Sequence, residues 1–321
     1  MMADLPPLDS VVLGVVQVVL VLAVAPLLLG ITKRVKARLQ YRRGVPLLQP
    51  YRDLAKWWRK EAVESDAAGP LTAIAPPLVL AAVVVAILLV PLVGQRPPLA
   101  GWGDLLVVAG LLALARFTLA LAALDAGSAF GGMGSSREVA ISALVEPALL
   151  LSLAGAALAA GSTDLGVIAH AGVTAGSAWF TPALLLCAGA FAIVAVAETG
   201  HEPFDNPDTH LELTMIHEGM LLEASGPRLA ILAYAAELKL VLVAGLFAAA
   251  FVPFGTAATA DPVAVLVAVG SALLKLVLAA TVLGVLDATL AKVRILALPG
   301  LLGMASILAV IGLATRLWLP A

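Results

Sequence analysis

The chain is organised as long apolar blocks separated by shorter polar segments. Eight of these blocks have about the 20 residues that a helix needs to cross a hydrocarbon core of roughly 30 Å. Proline and glycine residues mark several of the gaps between them. The apolar segments are approximately 10–31, 73–93, 104–124, 139–161, 180–198, 228–252, 262–286 and 297–319. The pattern predicts an all-α membrane protein, a bundle of about eight transmembrane helices forming a single integral membrane domain over residues 1–321.

Composition supports this class and excludes others. The chain is 62% hydrophobic and only 12% charged, whereas a soluble domain usually has about 25% charged residues. Its net charge of −2 provides no basic field for nucleic acid. The single cysteine, Cys187, cannot form an internal disulfide, an iron–sulfur cluster or a structural zinc site. We therefore expect Cys187 to be a small buried residue and any redox metal to belong to partner subunits.

Basic residues predict the orientation in the membrane. The loop 32–72 holds ten of the nineteen Lys and Arg residues, and the other loops on its side add several more. The opposite side has only Arg96 and Arg316. Because loops rich in Lys and Arg stay in the cytoplasm, this loop should be cytoplasmic and both termini should lie outside.

Within this basic loop, residues 50–62 have an amphipathic pattern. Apolar and aromatic residues recur near helical spacing, and basic residues fill much of the remainder. One interpretation is a helix lying at the membrane interface, with Trp57 and Trp58 at the depth of the headgroups. The alternative is a topology signal without a partner, and the pattern alone favours neither.

Several charged residues fall inside the predicted spans, where each costs about 2.5–3.5 kcal/mol to insert. They are Arg116, Glu146, Glu237, Lys239 and Lys275, with Asp125, Glu198 and Asp287 at span ends. Charges of both signs indicate either titratable sites for proton movement or fixed ion pairs that hold the bundle together.

The spacing of these charges limits how they pair. Glu237 and Lys239 are two residues apart, so they should face different sides of one helix and have different partners. Glu146 is a candidate partner for Lys239 or Lys275.

The segment 198–223 is unusually acidic. It contains three of the four histidines and no Lys or Arg. Its carboxylates are Glu198, Glu202, Asp205, Asp208, Glu212, Glu218 and Glu223.

Local rules predict a helix within this acidic segment. Asn206 suits a helix cap and Pro207 the first turn, which predicts a helix of about 15 residues ending near Gly226. Asp208 and Glu212 would share one face, and their repulsion would favour retention of a proton, as a proton relay requires. The spacing matches neither the HExxH motif nor the EF-hand loop, which argues against a metal site.

Taken together, these motifs resemble those of subunit 1, or H, of complex I and its counterparts in energy-converting nickel–iron hydrogenases such as formate hydrogenlyase. The first loop reads RRG and then LQPYRDLAK, which is similar to the family pattern RYGP…LLQPxxDxxK. The acidic segment is similar to the family stretch AExxRxPFDxxEAExEL…EYSG. The matching positions there are 197–199, 203–205, 212–213, 223, 225 and 226.

Other motifs resemble the hydrogenase branch more than respiratory complex I. Residues 124–130, 134–138 and 145–147 are similar to its pattern DxGSxF…GxSRE…VEP, and 205–215 is similar to the variant found in hydrogenase-4-type complexes. The chain departs from the family pattern at His201, Asn206 and Ala224. In complex I this region borders the quinone chamber, so these departures weigh against quinone binding without excluding it.

The resemblance implies a non-catalytic subunit that anchors a soluble redox arm and couples its electron transfer to movement of protons or sodium ions. The implied partners are hydrogenase-like large and small subunits, a ferredoxin-like iron–sulfur subunit and antiporter-like membrane subunits. Nickel–iron and iron–sulfur centres would belong to those partners, and this chain would bind no cofactor. The main alternatives are a quinone-reducing subunit of complex I type, a stand-alone cation transporter and a passive anchor.

The resemblance also implies roles for individual residues. We expect proton coupling by the seven carboxylates of the acidic segment together with Glu146, Glu237, Lys239 and Lys275. Structural or gating roles are expected for Arg116, Asp125, Arg137, Glu138 and Asp287. Docking of the soluble arm is expected at Arg42, Arg43, Gln49, Arg52, Asp53 and Lys56.

Overall fold

A computed structural model describes residues 8–63, 65, 68–205 and 215–318. Within these ranges the chain is α-helical and contains no β-strand. The helices are α1 (Leu8–Leu39), α2 (Gln49–Trp58), α3 (Leu71–Leu88), α4 (Leu105–Asp125), α5 (Ala129–Ala160), α6 (Leu165–Ala175), α7 (Pro182–Glu198), α8 (His217–Leu221), α9 (Gly226–Phe251), α10 (Pro262–Thr289) and α11 (Leu298–Trp318).

Seven of the described helices are long and apolar enough to cross a membrane: α1, α3, α4, α5, α9, α10 and α11. The predicted class, an all-α multi-pass membrane protein, is confirmed. Helix α7 is also apolar, but its 17 residues are fewer than in any of these seven. The count of eight spans and the outside location of the termini remain predictions.

Two helices extend well beyond the predicted apolar segments, because hydropathy does not register polar turns that continue a helix. Helix α5 begins at Ala129, not near residue 139, and Ser128 caps it by accepting a hydrogen bond from the Gly131 N–H at 3.1 Å. Helix α1 continues to Leu39, so the first basic residues of the predicted loop lie on a helix. Each helix has 32 residues, or about 48 Å, which exceeds the hydrocarbon core.

The helices differ strongly in how far the fold covers them. In the most apolar stretch of α9, 67% of residues are buried inside the chain, compared with 22% for α10. Helix α9 packs against α1, α2, α3 and α7, whereas α10 packs mainly against α1. Helix α9 is therefore the central helix of the bundle, and α10 lies at its periphery.

Close packing of α5, α7 and α11 depends on small residues. A side chain on Gly155 or Gly312 would overlap the Sγ atom of Cys187. Cys187 is fully buried, which confirms the expectation of a small buried residue.

A buried amide joins α1 to the end of α3. The Gln17 Nε2 donates to the carbonyl oxygens of Ile87 and Val90 at 3.2 and 2.8 Å, and its Oε1 accepts from the Leu92 and Val93 N–H groups at 3.0 and 3.2 Å. Since unpaired backbone groups are costly in lipid, this side chain stabilises the end of α3 by pairing four backbone groups in and just after the helix.

A proline inside α1 lies beside the points where α2 and α9 contact this helix. Pro26 has no N–H, so the Leu22 carbonyl loses its usual helical donor. The Tyr234 hydroxyl of α9 donates to that carbonyl at 2.8 Å, and the Tyr51 hydroxyl of α2 donates to the neighbouring Ala23 carbonyl. The predicted helix in the basic loop is confirmed, although it ends at Trp58, earlier than residue 62.

Candidate functional site

A buried network of four charged side chains joins four helices. Arg116 of α4 contacts Glu146 of α5, with Nη2 and Oε1 2.7 Å apart. Its Nη1 lies 2.8 Å from Oε1 of Glu198, the last residue of α7. The other Glu198 oxygen, Oε2, lies 3.1 Å from the Nζ of Lys239 on α9. We call Glu146, Arg116, Glu198 and Lys239 the central network.

Burial differs along the central network. The side chain of Glu198 is fully buried and those of Arg116 and Lys239 are nearly so, whereas that of Glu146 is 44% exposed. Two cations share the Glu198 carboxylate, so protonation of Glu198 would leave both without their buried counter-charge. Glu146 is therefore the member of the network that is most accessible from outside the bundle.

The contacts within the network are not equivalent. Arg116 and Glu146 form an aligned hydrogen bond. Neither Glu198 oxygen has an aligned hydrogen-bond partner in the described part of the chain, so Glu198 is held by charge attraction. Such a contact can rearrange without breaking a directional bond.

The observed pairing corrects one expectation and supports another. Glu146 pairs with Arg116, not with Lys239 or Lys275. Lys239 faces Glu198, whereas Glu237 is buried, makes no ion pair among the described residues and leaves its Oε2 without a hydrogen bond. These two residues of α9 therefore have different surroundings, as their spacing predicts.

Two cavities adjoin the central network. A cleft of about 370 Å³ lies between α4 and α5 and is lined by Arg116, Glu138 and Glu146 among apolar residues. A second cavity of about 30 Å³ is lined by Arg116, Lys239 and His217. It has room for a water molecule with several polar neighbours.

The first part of the acidic segment makes polar contacts with α10 and an ion pair with a lysine that follows it. Asp287 of α10 lies 2.8 Å from the His201 ring through Oδ2, and its Oδ1 accepts from the Glu202 N–H at 3.1 Å. Asp205 contacts the Nζ of Lys292 at 2.7 Å through Oδ1. These contacts keep buried carboxylates paired, as the cost of burying a lone charge requires.

The same part of the segment is joined to α1 and α8. The Nζ of Lys36 on α1 lies 3.5 Å from Oε1 of Glu202. Oδ2 of Asp205 accepts from the N–H groups of Ile216 and His217 at 3.3 and 2.9 Å, which provides α8 with an acceptor at its start.

The polar turns of α5 contact the far end of the segment. Arg137 donates from Nη1 to the Met215 carbonyl oxygen at 3.0 Å. Oε2 of Glu138 lies 3.8 Å from Nδ1 of His217. Since His217 also lines the water-sized cavity, it brings this part of the acidic segment next to Arg116 and Lys239 of the central network.

Asp125, the last residue of α4, binds the first turn of α3. Its Oδ2 accepts from both the backbone N–H and the hydroxyl of Thr72 at 3.0 Å, at the start of α3. Gly69 approaches this carboxylate so closely that a side chain there would overlap it.

Other predicted site residues are more exposed or lie outside the described ranges. Glu218 and Glu223 are exposed. Asp208 and Glu212, and with them the proposed shared face, lie outside the described residues. The predicted helix of about 15 residues was wrong in its described part, since only His217–Leu221 is helical between 215 and 225.

The predicted docking residues lie on and just before α2. Arg42, Arg43, Arg52 and Lys56 are exposed. The Gln49 amide donates to the Asp53 carboxylate at 2.8 Å, one turn along the helix. This stretch therefore presents accessible positive charge.

Sequence reasoning missed the partners of the buried carboxylates. In the sequence, Lys36 and Lys292 contributed only to the predicted orientation, and no partner was predicted for His201 or His217. In the structure, each of these four residues contacts a carboxylate that was predicted to be functional. Their sequence separations give no periodic signal that would have revealed the pairs. Among the described residues, no group of three or more His, Cys, Asp or Glu side chains is arranged to hold a metal ion.

Comparison with known proteins agrees with the motifs. Hydrogenase-4 component C of Escherichia coli (strain K12) is 38% identical over 291 residues, which cover 89% of each chain. Formate hydrogenlyase subunit 4 of the same strain is 36% identical over 287 residues, covering 89% of this chain and 92% of that protein. A subunit of the NADH-quinone oxidoreductase of Rhodopseudomonas palustris (strain BisB18) is 31% identical over 177 residues, about half of each chain.

The fold and the family comparisons extend this agreement. A chain of the membrane-bound sulfane sulfur reductase, an archaeal respiratory membrane complex, superposes with a TM-score of 0.83 at 23% identity, covering 95% of this chain and 99% of that one. The family model described as NADH dehydrogenase matches residues 11–318. The chain therefore belongs to the NADH dehydrogenase family, as a multi-pass membrane protein with relatives in hydrogenase-4 and formate hydrogenlyase.

Proposed function

We propose that this chain is the membrane subunit of an ion-translocating oxidoreductase complex of the hydrogenase and complex I type. It anchors a soluble redox arm and couples electron transfer in that arm to movement of protons or sodium ions. The names of its relatives support the type of complex. The central network supports the coupling, because it places charged side chains between the small cavity beside His217 and the cleft in the side of the bundle.

The path begins at the acidic segment. A change in charge at the redox arm would be felt first at the Glu138–His217 contact, which adjoins the water-sized cavity. The altered field at that cavity would shift Arg116 and Lys239, which both contact Glu198 and keep their protons throughout. It would then reach Glu146, which is half-exposed in the α4–α5 cleft.

Arg116 is the proposed switching element. It bridges a buried carboxylate and a half-exposed one, so a proton added to Glu146 releases Arg116 towards Glu198. A proton lost from Glu146 draws it back. This exchange transmits a charge change without separating the buried Arg116 and Glu198 charges, which would cost several kcal/mol.

Different surfaces of the chain would bind different partner subunits. Hydrogenase-like large and small subunits and a ferredoxin-like iron–sulfur subunit would assemble over α2 and the acidic segment, where the exposed basic residues offer charge for docking. Antiporter-like membrane subunits would continue the path from Glu146. Nickel–iron and iron–sulfur centres would be held by the soluble partners, and quinone binding by this chain is not part of the proposal.

The test is Glu146→Gln in the intact complex, reconstituted in proteoliposomes. We expect redox-driven ion uptake to fall to background while the dye-linked activity of the soluble arm is kept, because the side chain is half-exposed and its loss leaves the fold intact. Asp9→Asn, which neutralises an exposed carboxylate at the start of α1, is the control and should leave both activities unchanged.

Glu198→Gln provides a second arm for the same test. This variant should reduce redox-driven ion uptake at least as far as Glu146→Gln does. Native gels show whether the complex carrying it is still assembled. Normal ion uptake in an assembled Glu146→Gln complex would refute the coupling path.

A further inference from the structure

Lys275 occupies an unusual position in the bundle. It lies at the centre of α10, about 20 Å from either helix end at 1.5 Å per residue. Helix α10 is the least buried of the seven long apolar helices. A lysine at the centre of a membrane helix costs about 2.5–3.5 kcal/mol to insert, and such residues usually face a partner or a hydrated path.

Among the residues that the structure describes, none supplies a counter-charge for Lys275. Its Nζ donates to the Phe254 carbonyl oxygen at 2.5 Å. No carboxylate in the described ranges forms an ion pair with it, whereas Arg116 and Lys239 each contact Glu198. The carbonyl offers a partial charge and occupies one of three ammonium donors.

Lys275 lines an apolar cleft that is open at the side of the bundle. The cleft has a volume of about 360 Å³ and lies between α7, α9 and α10. Apart from Lys275 and Thr199, its walls are apolar, with Val196, Leu240, Phe247 and Leu278 among them.

The adjacent surface of α10 is an uncovered apolar stripe. Leu274, Leu278 and Val282 are spaced four residues apart on one face and are 61%, 55% and 56% exposed. Leu278 and Val282 also line the cleft. The cleft and the stripe together form a groove, and apolar side chains follow its edge at helical spacing. Among the described residues that line it, Lys275 is the one cation, and it lies at the middle of α10.

We propose that this groove seats a transmembrane helix of a partner membrane subunit, and that an aspartate or glutamate on that helix pairs with Lys275. The inference rests on the proposed function in that it assumes such a subunit in the complex. Charge complementarity selects a helix over a lipid. An acyl chain would fill the apolar walls but has no anion at mid-membrane, and a lipid phosphate stays at the interface, roughly 15 Å from the centre.

Photocrosslinking in native membranes can show whether a partner helix binds in this groove. A photoreactive amino acid replaces Leu278 or Val282 in the full chain within its complex, and Ile307, an exposed residue of α11, serves as the control position. We expect Leu278 and Val282 to crosslink to one transmembrane helix of a subunit of the same complex, and peptide mapping should place an Asp or Glu on that helix. Adducts with lipid alone, or the same helix captured equally from Ile307, would overturn the inference.

The ion pair is tested by substitution. Lys275→Met should release the crosslinked subunit from the complex in detergent, and Lys275→Arg should retain it. Lys275→Glu should also release it, and exchanging the mapped carboxylate for lysine should restore binding in that background. Retention of the subunit by Lys275→Met at the wild-type level would refute the pairing.

The two proposals fail separately. If the Glu146→Gln complex still takes up ions while the Lys275 ion pair is found, the coupling path is wrong and the partner helix in the groove is supported. If Glu146→Gln uncouples the complex but the groove contacts only lipid, the partner helix in the groove is refuted and the coupling path stands.

Discussion

Two regions of this molecule place cations within membrane-spanning helices, and they balance them differently. In the central network, Arg116 and Lys239 share Glu198, and Arg116 also holds Glu146, so four helices of one chain supply both signs of charge. At α10, Lys275 has a backbone carbonyl and an apolar groove. The difference separates cations that carboxylates of this chain neutralise from one that no described carboxylate contacts.

The positions of the helices explain this difference. Helix α9 is mostly covered by its neighbours, whereas α10 is mostly uncovered. A charge on a central helix must find its partner within the fold, because no other molecule can reach it. A charge on a peripheral helix can be paired by an adjacent subunit, which links its stability to assembly.

The largest expected effect is the loss of Glu198. Glu198→Met strands two buried cations, and we expect the free energy of unfolding of the complex-bound chain to fall by about 3–5 kcal/mol. Thermal unfolding in detergent measures this loss. The triple variant Glu198→Met/Arg116→Met/Lys239→Met should be clearly more stable than the single variant, because it leaves fewer unpaired charges. A triple variant less stable than Glu198→Met would show that the network is not held by its charges.

A smaller effect is expected when only one cation of the network is removed. In Lys239→Met, Glu198 keeps its contact with Arg116, so we expect a loss of about 1.5–3 kcal/mol, typical of a hydrogen bond or contact to a charged group. The same unfolding assay applies. A loss as large as that of Glu198→Met would mean that Arg116 alone cannot hold the Glu198 carboxylate.

The smallest change in the free energy of unfolding of the isolated subunit is expected for substitution of Lys275. Lys275→Met removes no ion pair within the described fold, so the isolated subunit should change by less than about 0.5 kcal/mol or become more stable. The intact complex carrying the same substitution should lose stability. A marked loss in the isolated subunit would place the partner of Lys275 inside this chain.

The sequence predicted the elements better than their ends. Apolar length was enough to find the long helices, since only a helix satisfies its own backbone in lipid. It did not give Ala129 and Leu39 as helix ends, because polar turns continue these helices beyond the apolar segments. The motif resemblance identified the family, because its matched residues are spread along the chain and need no knowledge of contacts.

The candidate site was predicted as a set of residues without its connections. The sequence marked Arg116, Glu146, Glu198 and Lys239 as notable, because charge in an apolar segment is costly wherever it pairs. It suggested the wrong partner for Glu146, and it gave no sign that Lys36 and Lys292 neutralise carboxylates far along the chain.

By itself, then, the sequence determined the membrane class, the helical segments, the family resemblance and the list of unusual charges, because each depends on residue type and local spacing. The tertiary structure alone decided which charges meet, which carboxylate stays half-exposed and which lysine is left beside an open groove. Pairing depends on how helices distant in sequence pack against each other. In this bundle glycine contacts, a proline inside α1 and a buried glutamine contribute to that packing, and hydropathy cannot reveal them.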